Sequence, residues 1–347
     1  MKESLYSKFK KLLTIYNTKE LSLKLNLSQG TLSRWLELEK IPKEYEFDIL
    51  RLLKENIDYS KYNTKIKNQF FTPKKTVEHC FKSFLNVIHN YEKNIDNFIF
   101  IEPSAGNGVF LDILPKNSIG MDIEPRDNRV IEQDYLTWNP IDKNKKYIVF
   151  GNPPFGLRGH LALKFINHSH NFADYVCFIL PQLFESSGKG VPRKRISGYN
   201  LLHSEKIYNE FYEPDNKIVK INTIFQIWSK NYKNEIYIIS NNYHKNIKIY
   251  SLSDGGTPSS TRNKDKIHHC DIYIPSTCFG KDKMKIYYEY NDLPNKKGYG
   301  IIFESNKKYY IDFAKTKNII NFSFLSTNSA YNINSERINK FFEECNV

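Results

Sequence analysis

The sequence predicts a mixed α/β protein with a helical N-terminal domain, a central parallel sheet and a β-rich C-terminal domain. Across residues 1–57, apolar residues fall at helical spacing in short segments. From 69 to 232, short apolar runs alternate with helical stretches, which is typical of parallel strands joined by crossover helices. Residues 233–347 are rich in Tyr and Ile and contain short strand-like runs separated by turn clusters.

Composition bounds the class of protein. Lys and Arg number 51 against 38 acidic residues among 347, so the net charge is +13, which suits a polyanionic partner such as nucleic acid. Five scattered cysteines do not resemble a disulfide framework. The first residues lack the apolar core of a signal peptide, and no stretch approaches a membrane span. We therefore expect a cytoplasmic protein with no membrane partner.

Residues 18–42 have the pattern of a helix-turn-helix. We expect Thr18 to cap a first helix, Asn26 to end it and Ser28 to cap a second helix. The segment resembles the helix-turn-helix of phage-type repressors, and a small helical bundle used for packing or dimerisation is the alternative. The side chains that could reach base edges and phosphates are Gln29, Thr31, Ser33 and Arg34.

The elements of the central and C-terminal domains follow from their apolar runs. Predicted strands of the sheet are 98–102, 119–123, 147–151 and 175–180, with helices at 76–89, 108–114 and 160–172. Residues 217–230 predict an antiparallel pair at one sheet edge. The C-terminal domain has predicted strands at 236–239, 247–252, 271–274, 285–290, 300–304 and 308–313, and a final helix at 335–344.

The most informative segment is residues 147–155, YIVFGNPPF. Two consecutive prolines lack amide donors and have fixed φ, so they must stop the preceding strand in a rigid turn. That turn holds up the amide of Asn152, the Pro153 carbonyl and the ring of Phe155. Carbonyl-type oxygens accept hydrogen bonds from an amino group, and an aromatic ring stacks on a flat base. The pattern therefore indicates a site for an exocyclic amine on a heterocycle, and a purely structural turn is the alternative.

A second motif, EPSAGNG, follows the first predicted strand. Its small residues would let the backbone approach a ligand closely, as in nucleotide-binding α/β folds. Glu102 beside this loop would repel a pyrophosphate and attract an ammonium group. S-adenosylmethionine carries an amino group and no phosphate, so the motif favours it over a dinucleotide.

Two further acids close the next predicted strands. Asp122 lies where a carboxylate can accept both ribose hydroxyls, and Asp134 can accept from an adenine amino group. Ahead of the first strand, QFFTP offers a lid-like segment beside the cofactor, formed by Phe71, Thr72 and Pro73.

In their order and spacing, QFFTP, EPSAGNG, GMDIEP, QDYLTW and GNPPF resemble the amino-methyltransferases of the N6-adenine DNA type, in the γ-type motif order. The resemblance covers roughly residues 69–230 and implies a Rossmann-like S-adenosylmethionine-dependent methyltransferase sheet. It also implies cofactor contacts from Phe71, Thr72, Pro73, Glu102, Gly106, Gly108, Asp122, Asp134 and Tyr135. The implied catalytic residues are Asn152, Pro153, Pro154 and Phe155, with Phe at the fourth position where Tyr is commoner.

Several other polar residues invite interpretation. A basic, glycine-containing loop follows a strand end, so we expect phosphate contacts from Lys189, Arg193, Lys194 and Arg195, with an ordinary solvated loop as the alternative. His268, His269, Cys270 and Cys278 match no standard zinc spacing, so we expect no metal.

The sequence thus predicts a site-specific DNA adenine-N6 methyltransferase of a restriction–modification or phage/viral system. S-adenosylmethionine would be its cofactor, double-stranded DNA its partner, and residues 233–347 its target-recognition domain. A cognate restriction endonuclease would be a further partner. Two alternatives stay open: a methyltransferase acting on RNA adenine or protein glutamine, and a DNA-binding regulator with a vestigial methyltransferase fold.

Overall fold

A computed structural model describes residues 3–58, 61–62, 70–186, 191–208, 210–234, 245–252, 270–294, 296–325 and 330–345. The contacts divide the chain into two compact units. The first comprises Met1–Pro181 and Arg195–Asn234, and the second comprises Gln182–Lys194 and Glu235–Val347. The N-terminal helices therefore share a unit with the central sheet, and the functional division into three domains stays a prediction. Within the described ranges, no helix is both long and apolar enough to cross a membrane.

The first unit begins with four short helices. They are α1 (Leu5–Ile15), α2 (Thr18–Lys24), α3 (Gln29–Glu37) and α4 (Glu46–Leu52). None is long enough to be stable alone in water, so each depends on its buried apolar face. The shared core of these helices comprises Phe9, Leu12, Leu21, Leu25, Leu32, Trp35, Ile41, Tyr45 and Ile49.

The two helices predicted within residues 18–42 are present, with one cap displaced, and their identification as a DNA-binding helix-turn-helix stays a prediction. Asn17 rather than Thr18 caps α2, because its side chain accepts from the backbone of Glu20 while Glu20 reaches back to the cap, forming a capping box. The turn passes through Asn26 in the left-handed conformation, with φ of 53°. Ser28 caps α3 as expected.

The central sheet of the first unit has seven strands. In chain order they are β1 (Phe98–Glu102), β2 (Ile119–Asp122), β3 (Val130–Glu132), β4 (Lys146–Gly151), β5 (Tyr175–Pro181), β6 (Asn200–Lys206) and β9 (Thr223–Ser229). Their spatial order is β3-β2-β1-β4-β5-β9-β6. The first five are parallel, whereas β9 runs antiparallel to both β5 and β6. This arrangement confirms the predicted Rossmann-like α/β fold class.

The order of the sheet determines where a ligand can bind. Chain order runs outward from β1 through β2 to β3 on one side and from β4 to β5 on the other, so it reverses between β1 and β4. In open α/β sheets the crevice lies outside the carboxyl ends of the strands at this switch point. The ends of β1 and β4 carry Glu102 and Gly151, the residue before Asn152.

Helix α5 (Lys74–Ile88) precedes β1, and helix α6 (His160–Ser169) connects β4 to β5. The core of the sheet includes Val77 and Phe84 from α5 together with Phe100, Phe150 and Phe225 from β1, β4 and β9. Phe100 and Phe150 are fully buried, which explains the near-continuous apolar sequence of these strands.

Two predictions in the first unit are wrong. Residues 108–114 form consecutive turns rather than a helix. Gly108 enters this segment at φ of 74° and Pro115 follows it, so seven residues lie between two helix breakers. The two strands within residues 217–230 do not pair with each other, because the second of them, β9, lies between β5 and β6 in the central sheet. The short strand β8 (Ile218–Lys220) instead pairs with β7 (Glu210–Tyr212).

The second unit contains two small antiparallel sheets. One has the order β10 (Ile247–Leu252), β13 (Gly298–Phe303) and β11 (Ile272–Pro275). The other has the order β12 (Thr277–Phe279), β15 (Ala330–Asn332) and β14 (Phe324–Leu325). Helices α7 (Lys307–Thr316) and α8 (Ser335–Glu343) complete the unit, and α8 matches the predicted final helix.

Residues 308–313, predicted to be a strand, lie within α7. The run of aromatic and β-branched residues resembles a strand, but its buried positions Tyr310 and Ala314 are four apart, which is the helical period. The predicted strand at 285–290 reduces to one isolated bridge from Tyr287 to Tyr273. The predicted strand at 236–239 lies outside the described residues.

Candidate active site

One pocket lies at the carboxyl ends of the parallel strands in the first unit. It brings together side chains from four strand ends, from the segment before α5 and from α4. The predicted site residues that line it are Phe71, Thr72, Glu102, Gly106, Asp122, Asp134, Tyr135, Asn152 and Pro154. It is also lined by Phe47, Arg51, Arg126 and Phe165, which the sequence did not indicate, and by Phe70, Asn107 and Glu124, which belong to the quoted motifs but had no assigned role.

Glu102 is the most deeply buried acid of this pocket. Its side chain is 1 % exposed, and Oε2 accepts no hydrogen bond from any described residue. Desolvation raises the pKa of this carboxyl well above its usual value, and the nearby Asp122 raises it further. A Cβ on Gly151 would lie 3.2 Å from Glu102 Cγ, so glycine at the end of β4 leaves space for the acid.

The loop at residues 103–108 is fixed by Asp122. The backbone N–H of Gly106 donates to Asp122 Oδ2 at 2.9 Å, and that of Glu124 donates to Oδ1 at 2.8 Å. Burial raises the pKa of Asp122 even though these N–H groups favour its charged form. Gly106 has φ of 48°, and a Cβ there would meet the Phe71 ring at 3.0 Å. The loop needs glycine at this position because the ring lies directly against the backbone.

Asn152 is held from both of its ends. Its side-chain Nδ2 donates to Thr72 Oγ1 at 3.2 Å, and its backbone carbonyl accepts from Ser104 Oγ at 3.0 Å. With Nδ2 engaged, Oδ1 is the free acceptor of the amide. This atom is buried and has no hydrogen-bond donor among the described residues. A buried acceptor without a donor costs free energy, so the site is arranged for a donor that comes from a ligand.

Arg51 brings α4 into the pocket. Its Nε donates to Asp134 Oδ2 at 2.6 Å, while the backbone of Leu136 donates to Oδ1 at 3.0 Å. Phe47 lines the same pocket one turn earlier on α4. In the sequence, EFDILRL shows only that charged residues lie among apolar ones, and nothing in it links Arg51 to Asp134.

Asp48 links α4 to α6. Its side chain is 2 % exposed, and Lys164 Nζ and His160 Nε2, both on α6, lie 2.9 Å and 3.2 Å from its oxygens. Burial alone would raise the pKa of Asp48, but Lys164 and His160 outweigh burial and hold the pKa well below its ordinary value. The Tyr45 ring also packs on the His160 ring, with centroids 4.4 Å apart. Helix α6 follows the diproline corner (residues 152–155) closely, so α4 is tied to the segment that presents Asn152.

The remaining predicted site residues lie beside the pocket rather than on its lining. Pro73 is the N-cap of α5, and Gly108 closes the loop with an N–H bond to the Ala105 carbonyl at 2.7 Å. Pro153 is buried, and Phe155 is half-buried and packs against the core of the sheet. Tyr135, by contrast, lines the pocket, and its hydroxyl forms a 2.6 Å hydrogen bond with Ser169. The functional roles of all the predicted site residues stay predictions.

The predicted DNA-contact residues fall into separate groups. Gln29 and Arg34 are exposed on α3, and Thr31 is half-buried there. Arg195 is half-buried, and its Nη1 donates to the Asn26 carbonyl at 2.5 Å, so Arg195 contacts the turn before α3. Arg193 and Lys194 belong to the second unit, and Lys189 lies outside the described residues.

The pocket residues fit S-adenosylmethionine by their own chemistry. An ammonium group would satisfy the buried Glu102 Oε2, and the Asp122 carboxylate can accept a further hydrogen bond from a ribose hydroxyl. Asp134 offers a carboxylate for an adenine amino group. No group of three potential metal ligands occurs in the described part of the chain, which includes Cys270 and Cys278 but neither His268 nor His269.

No protein-family profile and no curated protein matches this chain. Among solved structures, the Type IIL restriction-modification enzyme MmeI in complex with DNA has a TM-score of 0.41 and 9% identity, covering 86% of this chain and 73% of that one. A candidate RNA methyltransferase from Pyrococcus horikoshii has a TM-score of 0.34 and 19% identity, covering 49% and 91%. The modification subunit of a candidate type I restriction enzyme from Vibrio vulnificus YJ016 has a TM-score of 0.33 and 11% identity, covering 89% and 68%.

Proposed function

We propose that the protein methylates N6 of adenine in DNA, using S-adenosylmethionine, as part of a restriction–modification or phage/viral system. One observation carries the proposal. Two buried acceptors, Glu102 Oε2 and Asn152 Oδ1, line one pocket at the switch point of the sheet, and neither has a donor among the described residues. Glu102 suits the ammonium group of the cofactor and Asn152 suits the amino group of the target base, so each reactant has one of these acceptors.

Asn152 would act on the target amine. Its Oδ1 and the Pro153 carbonyl would each accept a hydrogen bond from one N–H group of the amine. These two bonds would draw the nitrogen toward a tetrahedral geometry and free its lone pair. Thr72 and Ser104 hold the Asn152 side chain and carbonyl before any substrate arrives. Such preorganisation lowers the barrier because the acceptors need no rearrangement during the reaction.

The acids at the strand ends would hold the cofactor. When bound, S-adenosylmethionine supplies an electrophilic methyl group on a sulfonium. Glu102 would accept from the ammonium of the methionine part, Asp122 from the ribose hydroxyls, and Asp134 from the adenine amino group. The Phe71 ring, packed on Gly106, would cover this side of the pocket.

An adenine amino group in duplex DNA faces its pairing partner, so the base must leave the stack to reach Asn152. Extrusion costs a few kcal/mol. Stacking on an aromatic ring returns about 1–3 kcal/mol per base. We assign this stacking to Phe155, whose half-buried ring is steadied by the core behind it.

The direct test is incubation of the protein with tritiated S-adenosylmethionine and duplex DNA, RNA or a glutamine-containing protein substrate in parallel. We expect label in duplex DNA only, recovered as N6-methyladenine after hydrolysis. Label confined to RNA or protein would overturn the DNA assignment and favour one of the alternative acceptors. Absence of label in every substrate, with duplex DNA still bound, would overturn the enzymatic proposal in favour of a regulator.

A further inference from the structure

A second cleft in the first unit lies between α3 and the segment that follows the diproline corner. Its volume is about 590 Å³. Among the described residues, Arg158 lines it from the segment after the diproline corner, three residues after Phe155, and the other lining residues come from α3 and the segments that flank it. They are Ser28, Gly30, Thr31, Arg34, Trp35, Leu38, Lys40 and Pro42.

The charge of this cleft has one sign. Arg34, Lys40 and Arg158 line it and are exposed, whereas no acidic residue of the described ranges lines it. None of the three forms an ion pair with a residue in the described ranges. Uncompensated cations that converge on a concave surface attract an anion. We call this surface the basic cleft.

Arg158 is held in the basic cleft by an unusual backbone. Its φ is 52°, and the neighbouring Gly156 and Gly159 have φ of 67° and 72°. The left-handed conformation costs a non-glycine residue on the order of 1 kcal/mol, so surrounding contacts must enforce it. His160 supplies them, because its Nδ1 lies 3.1 Å from the Leu157 carbonyl while Nε2 faces the buried Asp48. Strain maintained in this way is common where a side chain must be presented to a ligand.

The neighbourhood points to one kind of anion. On one side, α3 exposes Gln29 and Ser33, side chains that can reach base edges. On the other side, the diproline corner presents the proposed acceptor for an extruded adenine. Duplex DNA carries phosphates along its whole length, so it can contact α3 and the diproline corner at the same time.

We propose that the basic cleft binds the phosphate backbone of duplex DNA beside the target adenine, with Arg34, Lys40 and Arg158 as the phosphate contacts. This inference rests on the proposed function and adds a contact surface to it. The N-terminal helices would then contact the same DNA that is methylated at the diproline corner. Arg158 is a binding residue here and takes no part in methyl transfer.

The test is a fluorescence anisotropy titration of a labelled DNA duplex, repeated over a range of salt concentrations. Arg34→Ala, Lys40→Ala and Arg158→Ala should each weaken binding about tenfold, the lower range for a hydrogen bond to a charged group. Each loss of a phosphate contact should also flatten the slope of log affinity against log salt by about 0.9. Arg158→Lys should retain most of the binding, because it keeps the charge.

The matched control is Lys10→Ala, which removes an exposed cation from α1 away from the basic cleft and should bind DNA like the unaltered protein. Unchanged DNA binding by all three cleft variants would overturn the inference. Losses seen with single-stranded RNA but not with duplex DNA would also overturn it. Cofactor titration separates the two proposals: a protein that binds DNA through the cleft but binds no S-adenosylmethionine would contradict the proposed function alone.

Discussion

Glu102 is a carboxyl group that the fold withdraws from water without giving one of its oxygens a partner among the described residues. If it binds the ammonium of the cofactor, Glu102→Gln removes a charged hydrogen bond worth about 1.5–3 kcal/mol, or roughly 10-fold to 150-fold in affinity. Calorimetric titration with S-adenosylmethionine measures this loss. The matched control is Glu132→Gln, on the exposed side of β3, which should leave affinity unchanged. Equal losses in both variants would remove Glu102 from the site.

The buried state of Glu102 also makes stability depend on pH. Because its folded pKa is raised by desolvation, the folded protein binds this proton more tightly than the unfolded chain. The contribution of Glu102 to the free energy of unfolding is therefore greatest below its unfolded pKa and declines as pH rises toward the folded pKa. Glutamine carries no such proton. Urea unfolding from about pH 5 to about pH 8 should show Glu102→Gln gaining stability over the unaltered protein as pH rises. A difference that stays constant across this range would contradict the raised pKa.

At the scale of the element, α4 depends on Asp48 for its attachment. Asp48→Ala leaves Lys164 and His160 without their shared carboxylate in a buried site. Removing one partner of a buried ion pair costs about 3–5 kcal/mol of unfolding free energy. Asp58→Ala breaks an exposed ion pair with Lys61 and should cost about 0–1 kcal/mol. Urea denaturation of both variants measures the contrast, and similar costs would mean that the Asp48 cluster does not hold the helix.

Individual helices and strands show how much of the fold the local sequence can predict. The strands β1, β2, β4 and β5 were predictable because a parallel sheet buried on both faces needs uninterrupted apolar runs ending in turn residues. The strand predicted at 308–313 was wrong, because Tyr and Ile suit a strand or a buried helix face and only the spacing of Tyr310 and Ala314 separates them. Arg51 could not be placed at Asp134 from sequence, since that contact depends on how two elements 83 residues apart pack together.

In the molecule as a whole, the N-terminal helices and the sheet belong to one unit, and residues from both line the proposed cofactor pocket. A ligand that binds only the folded pocket stabilises every element lining it. Hydrogen exchange should therefore slow in α4 when S-adenosylmethionine binds. Exchange in α7, in the second unit, serves as the control and should not change. Unaltered exchange in α4 at saturating cofactor would show that this helix is not part of the site.

The proposed role of Asn152 Oδ1 as the acceptor for the target amine can be tested by one kinetic measurement. The rate of methyl transfer to duplex DNA is compared for the unaltered protein, Asn152→Ala and Asn90→Ala, an exposed control at the end of α5. Cofactor affinity is measured in parallel. Loss of a preorganised acceptor should slow transfer by at least about 10²–10³ while cofactor affinity stays nearly unchanged. We expect that result for Asn152→Ala alone, and an Asn152→Ala variant that transfers methyl groups at the rate of the unaltered protein would remove Asn152 from its proposed role.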